Sequence, residues 1–181
     1  MSLIEIKSEE YPILIDLKYG TSDNFTGQKI YDCPKLLLHK ETLSHLEKSI
    51  ELAAAHHLKI KIFDGFRPHT AQQKLWSICP HSAYVANPEK GSHHTRGIAV
   101  DLTLVDQSGK ELDMGTSFDD FTSQSHHLGE ISKEAQSNRY LLLSIMMIAG
   151  WDLYPYEWWH YQLSEVDSYP LILENYKIMA E

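Results

Sequence analysis

The sequence contains little cysteine, has no excess of basic charge and includes no long apolar run. Its only two cysteines, Cys33 and Cys79, are far apart, so we expect structural roles for them and neither a disulfide framework nor a cysteine-based zinc site. The net charge of -9 argues against the basic patch that nucleic-acid binding requires. The first ten residues carry three glutamates and do not resemble a signal peptide, and no stretch suits a membrane span. We therefore expect a cytoplasmic protein that binds neither nucleic acid nor membrane.

Internal repeats, low-complexity segments and linkers are also absent from the 181 residues. A chain of this length suits one domain with one sizeable core, so we expect residues 1–181 to form a single domain. Helical and strand-like patterns are mixed without regular βαβ units. This mixture predicts an α+β fold in which an antiparallel-dominated sheet carries the site and the helices pack on one side.

Hydrophobic periodicity predicts three helices, over residues 41–57, 69–78 and 132–149. Ser132 is a suitable N-cap for the third of these helices, and Gly150 is a suitable C-terminal stop. Strands are predicted over residues 58–63, 98–104 and 151–163, and an extended segment over residues 11–19. Residues 20–31 are predicted to form a loop, and residues 169–181 an extended tail.

The stretch from Gly91 to Leu104 combines chemically active residues with a strand. Apolar and polar residues alternate from Ile98, which places Asp101 on the polar face. An ionised aspartate within a strand is costly unless a cation or several donors accompany it. Imidazole nitrogen and carboxylate oxygen are ligands of catalytic zinc, which keeps one position open. Asp101 and one upstream histidine therefore make two candidate zinc ligands.

Two adjacent histidines, His93 and His94, compete for that role. Either one reaches Asp101 if the chain bends at Gly97. In an extended chain their side chains point to opposite sides, so only one is expected to bind, and the spacing does not select between them.

A third ligand is expected from the aromatic segment near the end of the chain, where Glu157 and His160 lie three residues apart. The aromatic density is typical of a strand. A regular strand would point these two side chains to opposite faces. If both act at one metal, a bulge or a bend must separate them.

These residues together suggest hydrolysis. A zinc ion on three protein ligands lowers the pKa of water to about 7, and Glu157 would transfer the proton to a leaving amine. Arg67 follows a predicted strand and would stabilise an oxyanion, although taken alone it is better explained as a surface arginine paired with a carboxylate. Structural or hydrogen-bonding roles are expected for the paired histidines His126 and His127.

Two motifs carry a family resemblance: Ser92-x-His94-x-x-Gly97-x-Ala99-x-Asp101 and Glu157-Trp158-Trp159-His160. They resemble the zinc D-alanyl-D-alanine dipeptidases of the VanX type. Residues 19–27, 64–68 and 114–126 resemble three further blocks of this family in the same order, so the resemblance covers most of the chain.

The resemblance implies one Zn²⁺ per chain and a small dipeptide as the substrate. It assigns His94, rather than His93, to the metal with Asp101 and His160. It also implies the following roles: Glu157 as general base and acid, Arg67 as the oxyanion-stabilising residue, and Asp119, Ser92 and Tyr19 as residues that bind the termini of the dipeptide.

The expected function is zinc-dependent hydrolysis of D-alanyl-D-alanine to two D-alanines. Two alternatives are a zinc D,D-carboxypeptidase that acts on longer peptidoglycan stem peptides and a non-catalytic binding module stabilised by zinc. The sequence departs from the family pattern at Ser22, where an aromatic residue is common. The connection from Arg67 to His94 is also short compared with the resistance enzymes, which predicts a more open cleft.

Overall fold

A five-stranded sheet forms the centre of the fold in the computed structural model, which describes residues 3–32, 34–81 and 83–173. The two strands at one edge of this sheet pair in parallel, and all its other neighbouring strands pair in the antiparallel direction. A separate antiparallel pair consists of β1 (Leu3–Glu5) and β3 (Leu37–His39). In spatial order the large sheet contains β2 (Leu14–Ile15), β4 (Lys59–Asp64), β5 (Ala99–Val105), β7 (His160–Gln162) and β6 (Asp152–Leu153).

The three predicted helices are present as α1 (Leu43–Ala55), α2 (His69–Ile78) and α3 (Lys133–Ile148). A 3₁₀ turn over Lys40–Thr42 precedes α1, where the helix itself was expected to begin. At the start of α3, the Ser132 hydroxyl accepts a hydrogen bond from the Ala135 backbone N–H at 3.1 Å, which confirms the predicted N-cap. Gly150 follows this helix with φ +94°, a conformation that glycine adopts at low cost.

The central strand β5 is buried along its whole length. Val100, Leu102 and Leu104 share one hydrophobic cluster with Leu46 of α1 and Leu142 of α3, so the two long helices cover the same face of the sheet. The shorter helix α2 contributes to a second, smaller cluster. The α+β fold with a mostly antiparallel sheet is therefore confirmed. Its core leaves the polar face of β5, which carries Asp101, directed away from α1 and α3.

The chain forms a turn, rather than an extended segment, at the motif that contains the two adjacent histidines. Residues His94–Arg96 form a 3₁₀ turn that ends at Gly97 with φ +73°, so the predicted bend is present but the extended conformation expected for the histidine pair is wrong. A Cβ atom on Gly97 would lie 2.6 Å from Leu3 Cδ2 and 3.1 Å from the His39 backbone nitrogen. Glycine is required here both by the positive φ and by the close packing.

The strand predicted over residues 151–163 is also wrong as a continuous element. The short antiparallel strands β6 and β7 occupy its two ends, and turns connect them. The Trp158 backbone N–H donates to the Ser125 carbonyl at 3.0 Å, and the His127 backbone N–H donates to the Pro155 carbonyl at 3.1 Å. These contacts with another segment replace the strand pairing that the aromatic composition suggested.

Three further expectations concern the two cysteines, the C-terminal tail and the absence of a membrane span. Cys33 and residues 174–181 of the predicted tail lie outside the described residues, whereas residues 169–173 have no regular secondary structure. Cys79 is a free, partly buried cysteine that packs against the second cluster. The described part of the chain contains no helix that is both long and apolar enough to cross a membrane.

Candidate metal centre and substrate cavity

Strand register brings three acidic or imidazole side chains to one line across the sheet. Asp101 on β5 is paired with Asp64 on β4 and with His160 on β7. The 3₁₀ turn that carries His94 lies beside this line, because the His94 carbonyl accepts from the Arg67 backbone N–H at 3.1 Å. Residues that are widely separated in the sequence therefore meet at one point.

A group that suits a metal ion forms where His94, Asp101 and His160 converge. One donor atom from each of these buried residues lies within 4.8 Å of the other two. His94 Nε2 is 3.3 Å from Asp101 Oδ2 and 3.1 Å from His160 Nδ1, and His160 Nδ1 is 3.0 Å from Asp101 Oδ1. The group contains His94 and not His93, although the latter also lines the adjacent cavity.

Hydrogen bonds at the opposite ring nitrogens leave both converging nitrogens free to bind a metal. His94 Nδ1 lies 2.8 Å from the Gly65 carbonyl oxygen, which can only accept, so this nitrogen carries the proton. His160 Nε2 lies 2.9 Å from the Gln162 side-chain oxygen and donates to it for the same reason. The lone pairs of His94 Nε2 and His160 Nδ1 consequently point at Asp101, which is the arrangement found in metal-binding histidines.

The charge of Asp101 is maintained by its neighbours. Burial by itself would raise the pKa of this carboxyl group, but His94 and His160 hold it below its ordinary value. The group thus offers one anionic oxygen and two imidazole nitrogens. This donor set fits zinc, which prefers nitrogen and carboxylate ligands in a site with an open position.

Glu157 lies beside this group in the turn that precedes β7. Its backbone N–H donates to the Tyr154 carbonyl and its own carbonyl accepts from His160, both at 3.3 Å, so the bend predicted between the glutamate and the histidine is a turn. The Glu157 carboxylate oxygen Oε2 is 3.9 Å from His160 Nδ1. Burial raises the pKa of Glu157 well above its ordinary value, and the nearby carboxylates of Asp101 and Asp119 raise it further.

Arg67 is a buried residue of the site rather than a surface arginine. It donates from Nε to Asp64 Oδ2 at 2.9 Å and from Nη1 to Gln72 Oε1 at 3.2 Å, and Nη2 is 2.8 Å from Asp64 Oδ2. Burial would lower the pKa of Arg67, but the adjacent Asp64 more than offsets this effect and keeps it well above its ordinary value. Since a guanidinium has five N–H donors, two remain for the cavity, and Nη2 lies 3.6 Å from Asp101 Oδ2.

Asp64 is a component of the site that was not among the candidate residues predicted from the sequence. It is fully buried and accepts a hydrogen bond from the Tyr31 hydroxyl at 2.6 Å as well as those from Arg67. Its position three residues before an arginine at the end of a strand was an available signal. Charge pairing over that spacing depends on the local backbone, so the signal alone was weak.

Asp119 has an unusual backbone conformation, with φ +61°, and lines the same cavity as the metal group. The Tyr19 hydroxyl donates to its two carboxylate oxygens at 3.2 and 3.1 Å. Burial raises the pKa of Asp119 well above its ordinary value, and Asp101 adds to this rise. Within the described residues, no lysine, arginine or histidine forms an ion pair with Asp119. Its carboxyl group can therefore pair with a cationic group that enters the cavity.

Ser92 lines the cavity and also supports the turn that carries His94. Its hydroxyl oxygen accepts from the Thr95 backbone N–H at 3.1 Å and lies 3.4 Å from Gln72 Oε1. His126 and His127 do not belong to the metal group of the described structure. Burial lowers the pKa of His127 to about 4, with Arg139 adding to the effect.

The cavity that contains these groups has a volume of about 260 Å³. Two of its polar lining residues, Tyr154 and Gln162, were missed in the sequence, as was Gln72, which lies behind the lining and accepts from Arg67. Only Gln162 had a clear signal, because it follows His160 by two residues and alternate residues of a strand share a face. The cavity is lined by Tyr19, Arg67, Ala83, Tyr84, Val85, Ala86, Gly91, Ser92, His93, His94, Asp101, Asp119, Tyr154, Glu157, Trp159, His160 and Gln162.

Comparison with known proteins gives consistent matches over nearly the whole chain. The family model described as D-ala-D-ala dipeptidase, Peptidase_M15, matches residues 9–177. The D-alanyl-D-alanine dipeptidase of Escherichia coli (strain K12) is 43% identical over 163 residues, which cover 90% of this chain and 84% of that protein. The enzyme of the same name from Enterococcus faecium is 36% identical over 177 residues, which cover 86% of this chain and 87% of the relative.

A structural similarity is more distant. The crystal structure of the vancomycin resistance D,D-pentapeptidase VanY, solved in complex with Zn(II), aligns with a TM-score of 0.46 and 16% sequence identity. The alignment covers 73% of this chain and 75% of that one. At this level the similarity carries no functional argument.

Proposed function

This chain belongs to the Peptidase_M15 family of D-ala-D-ala dipeptidases, and we propose that the buried group of His94, Asp101 and His160 is its zinc centre. The enzyme hydrolyses D-alanyl-D-alanine to two D-alanines. The observation that carries the proposed site is the convergence of two imidazole lone pairs on one ionised carboxylate, with each histidine tautomer set by a separate hydrogen bond. We propose one zinc ion per chain in one domain that comprises residues 1–181.

The residues around the centre suit the hydrolysis of a peptide bond. Zinc held by this ligand set supplies a Lewis acid and lowers the pKa of water to about 7. The Glu157 carboxylate, on the edge of the group, is placed to take a proton and to return it to the leaving amine. The N–H groups of Arg67 that are not bonded to Asp64 or Gln72 are assigned to the oxyanion that develops on the scissile carbonyl.

The other end of the cavity suits the termini of a free dipeptide. Asp119 lacks a cationic partner within the described residues and is assigned to the substrate ammonium, because a buried carboxylate gains most from an opposite charge. Tyr19 holds the Asp119 side chain in place. Ser92, on the wall next to the metal group, is assigned to binding of the substrate termini as well.

The test of this function is D-alanine release from D-alanyl-D-alanine by the purified protein, before and after chelation and after return of zinc. L-alanyl-L-alanine and a peptidoglycan stem pentapeptide are assayed in parallel. We expect chelator-sensitive, zinc-restored release from the D,D-dipeptide alone. Release from the pentapeptide at a similar kcat/KM would assign a D,D-carboxypeptidase instead, and zinc binding without any turnover would assign a binding module.

Gln162 offers a separate test of the ligand geometry. Replacing it with leucine removes the acceptor for His160 Nε2–H, so the imidazole can shift its proton to the nitrogen that faces the metal. Loss of such a partner typically weakens metal affinity by about 10–100-fold. Zinc affinity, measured by competition with a chromophoric chelator, should fall accordingly in Gln162→Leu and recover in Gln162→Glu, which restores an acceptor. Equal zinc affinity in Gln162→Leu and wild type would show that this hydrogen bond does not control the ligand.

We further propose that the reaction takes place in the cytoplasm. Two cysteines in 181 residues, with Cys79 unpaired, suit a reducing compartment. Dipeptidase activity should therefore appear in the cytosolic fraction of gently lysed cells, together with a cytosolic marker enzyme. Recovery with the periplasmic or membrane fraction would contradict this location.

A further inference from the structure

One wall of the cavity is formed by the connection between Arg67 and His94, the segment that the sequence predicts to leave the cleft open. Ala83, Tyr84, Val85 and Ala86, here called the wall segment, all line the cavity. Val85 is also buried in the second hydrophobic cluster. The short connection therefore contributes an ordered surface to the site.

Two hydrogen bonds tie the wall segment to the catalytic side of the cavity. The Tyr154 hydroxyl donates to the Ala83 carbonyl at 2.8 Å, and the Gln72 amide donates to the Ala86 carbonyl at 2.7 Å. The Tyr154 ring also packs edge-on against the ring of His160, with 5.8 Å between the centroids. These contacts hold both ends of the wall segment in position relative to the metal group.

A third contact joins the wall segment to the part of the chain that carries Asp119. The Tyr84 ring stacks on the Phe121 ring with 4.9 Å between centroids and an interplanar angle of 16°. Phe121 in turn contacts Phe25, at 4.9 Å and 65°. Phe121 follows Asp119 by only two residues, so this row of aromatic rings includes a ring from the segment that carries the carboxylate assigned to the substrate ammonium.

Space for a longer peptide exists beyond that point. A second cavity, of about 440 Å³, shares Asp119 with the first one and is lined in part by Phe25. A free dipeptide ends at its ammonium group, whereas a longer peptide carries an amide there and must continue past Asp119. Tyr84 lines the first cavity and Phe25 lines the second, so the aromatic row runs from one cavity to the other, and Asp119 is the residue that both cavities share.

We propose that the Tyr84–Phe121 stack is the barrier that restricts this enzyme to free dipeptides, by closing the cavity beside Asp119. The proposal rests on the proposed assignment of Asp119 to the substrate ammonium and extends it to substrate length. Tyr84 is the specificity-determining residue on the wall segment, and Phe121 is its partner on the opposite segment. Tyr154 and Gln72 act as positioning residues that keep the stack in place.

The test compares Tyr84→Ala with Tyr84→Phe, a matched control that keeps the stacked ring and removes only the hydroxyl. Each variant and the wild type are assayed on D-alanyl-D-alanine and on the tripeptide L-lysyl-D-alanyl-D-alanine. Because one group in a pocket discriminates substrates by about 10–200-fold, the ratio of kcat/KM for tripeptide over dipeptide should rise by about tenfold or more in Tyr84→Ala. It should stay at the wild-type value in Tyr84→Phe.

Phe121→Leu provides a second route, because it removes the stack from the other side while keeping apolar volume. Zinc affinity and circular dichroism establish that each variant is folded, and Phe121→Leu decides the question if Tyr84→Ala does not fold. An unchanged ratio in the folded variants, or a wild type that cleaves the tripeptide as well as the dipeptide, would overturn the barrier. A zinc-loaded wild type that cleaves neither peptide would instead reject the proposed function, and the barrier with it.

Discussion

Replacing Glu157 with glutamine is expected to lower kcat on D-alanyl-D-alanine by about 10²–10⁴-fold, the usual contribution of a positioned acid–base group. The amide keeps the size and shape of the side chain but cannot accept a proton. Glu157 Oε2 lies 3.9 Å from His160 Nδ1, so it is close to the proposed metal centre but is not one of the three residues that could hold the ion. Zinc binding should therefore persist in Glu157→Gln while turnover is lost.

Steady-state kinetics and zinc content per chain, measured on the same preparation, check this result. Glu130→Gln is the matched control, because it makes the same chemical change at an exposed carboxylate and should retain wild-type kinetics. A kcat within a few-fold of the wild-type value would remove Glu157 from the proton-transfer role. Loss of zinc together with activity would assign it to the ligand set instead.

Replacing Asp101 with asparagine is expected to abolish high-affinity zinc binding, and dipeptidase activity with it. The two carboxylate oxygens lie 3.0 Å from His160 Nδ1 and 3.3 Å from His94 Nε2, so Asp101 is the anionic corner of the group. Loss of a group that only hydrogen-bonds to a metal ligand already lowers metal affinity by about 10–100-fold. Loss of a ligand itself should therefore lower zinc affinity by more than about 10²-fold. The neutral amide also leaves the positive charge of the ion less compensated in a buried site.

Chelator competition and thermal unfolding with and without zinc provide the measurement. A ligand that binds only the folded state raises the unfolding temperature, so zinc should stabilise the wild type and Asp152→Asn, a control at an exposed aspartate. It should leave Asp101→Asn unaffected. Zinc-dependent stabilisation of Asp101→Asn equal to that of the wild type would place the ion elsewhere.

The two predictions separate ligand binding from proton transfer, which activity alone does not distinguish. Glu157→Gln should be inactive with zinc bound, and Asp101→Asn should be inactive without it. The distinction matters because Glu157 and the three proposed zinc ligands line the same cavity. A substitution at any of them is expected to affect turnover. Metal content is the readout that assigns each residue to its role.

Local sequence patterns predicted the helices well, because a helix depends on contacts within one or two turns of the chain. The hydrophobic spacing and Ser132 located α3 to within a residue at each end. The alternation after Ile98 likewise identified β5 and placed Asp101 on its polar face. In each case the determining interactions lie close together in the sequence.

The two turns of the site could not be predicted from residue type. Aromatic density around Trp158 favoured a strand, but the Trp158 N–H pairs with the Ser125 carbonyl, more than thirty residues away. The histidine pair is similarly turned by packing of Gly97 against Leu3 and His39. Partners of this kind are supplied by the assembled fold, and they override local propensity.

The sequence by itself determined which donors the site has: the histidines, the carboxylates and the arginine, together with the strand that presents Asp101. Only the tertiary structure decided how they are used. The pairing of Asp64 with Asp101 brought Arg67 beside the metal group, and the Gly65 carbonyl and Gln162 set the histidine tautomers. The physical reason is that the residue type sets the chemistry of a side chain, whereas strand register and long-range hydrogen bonds set its neighbours.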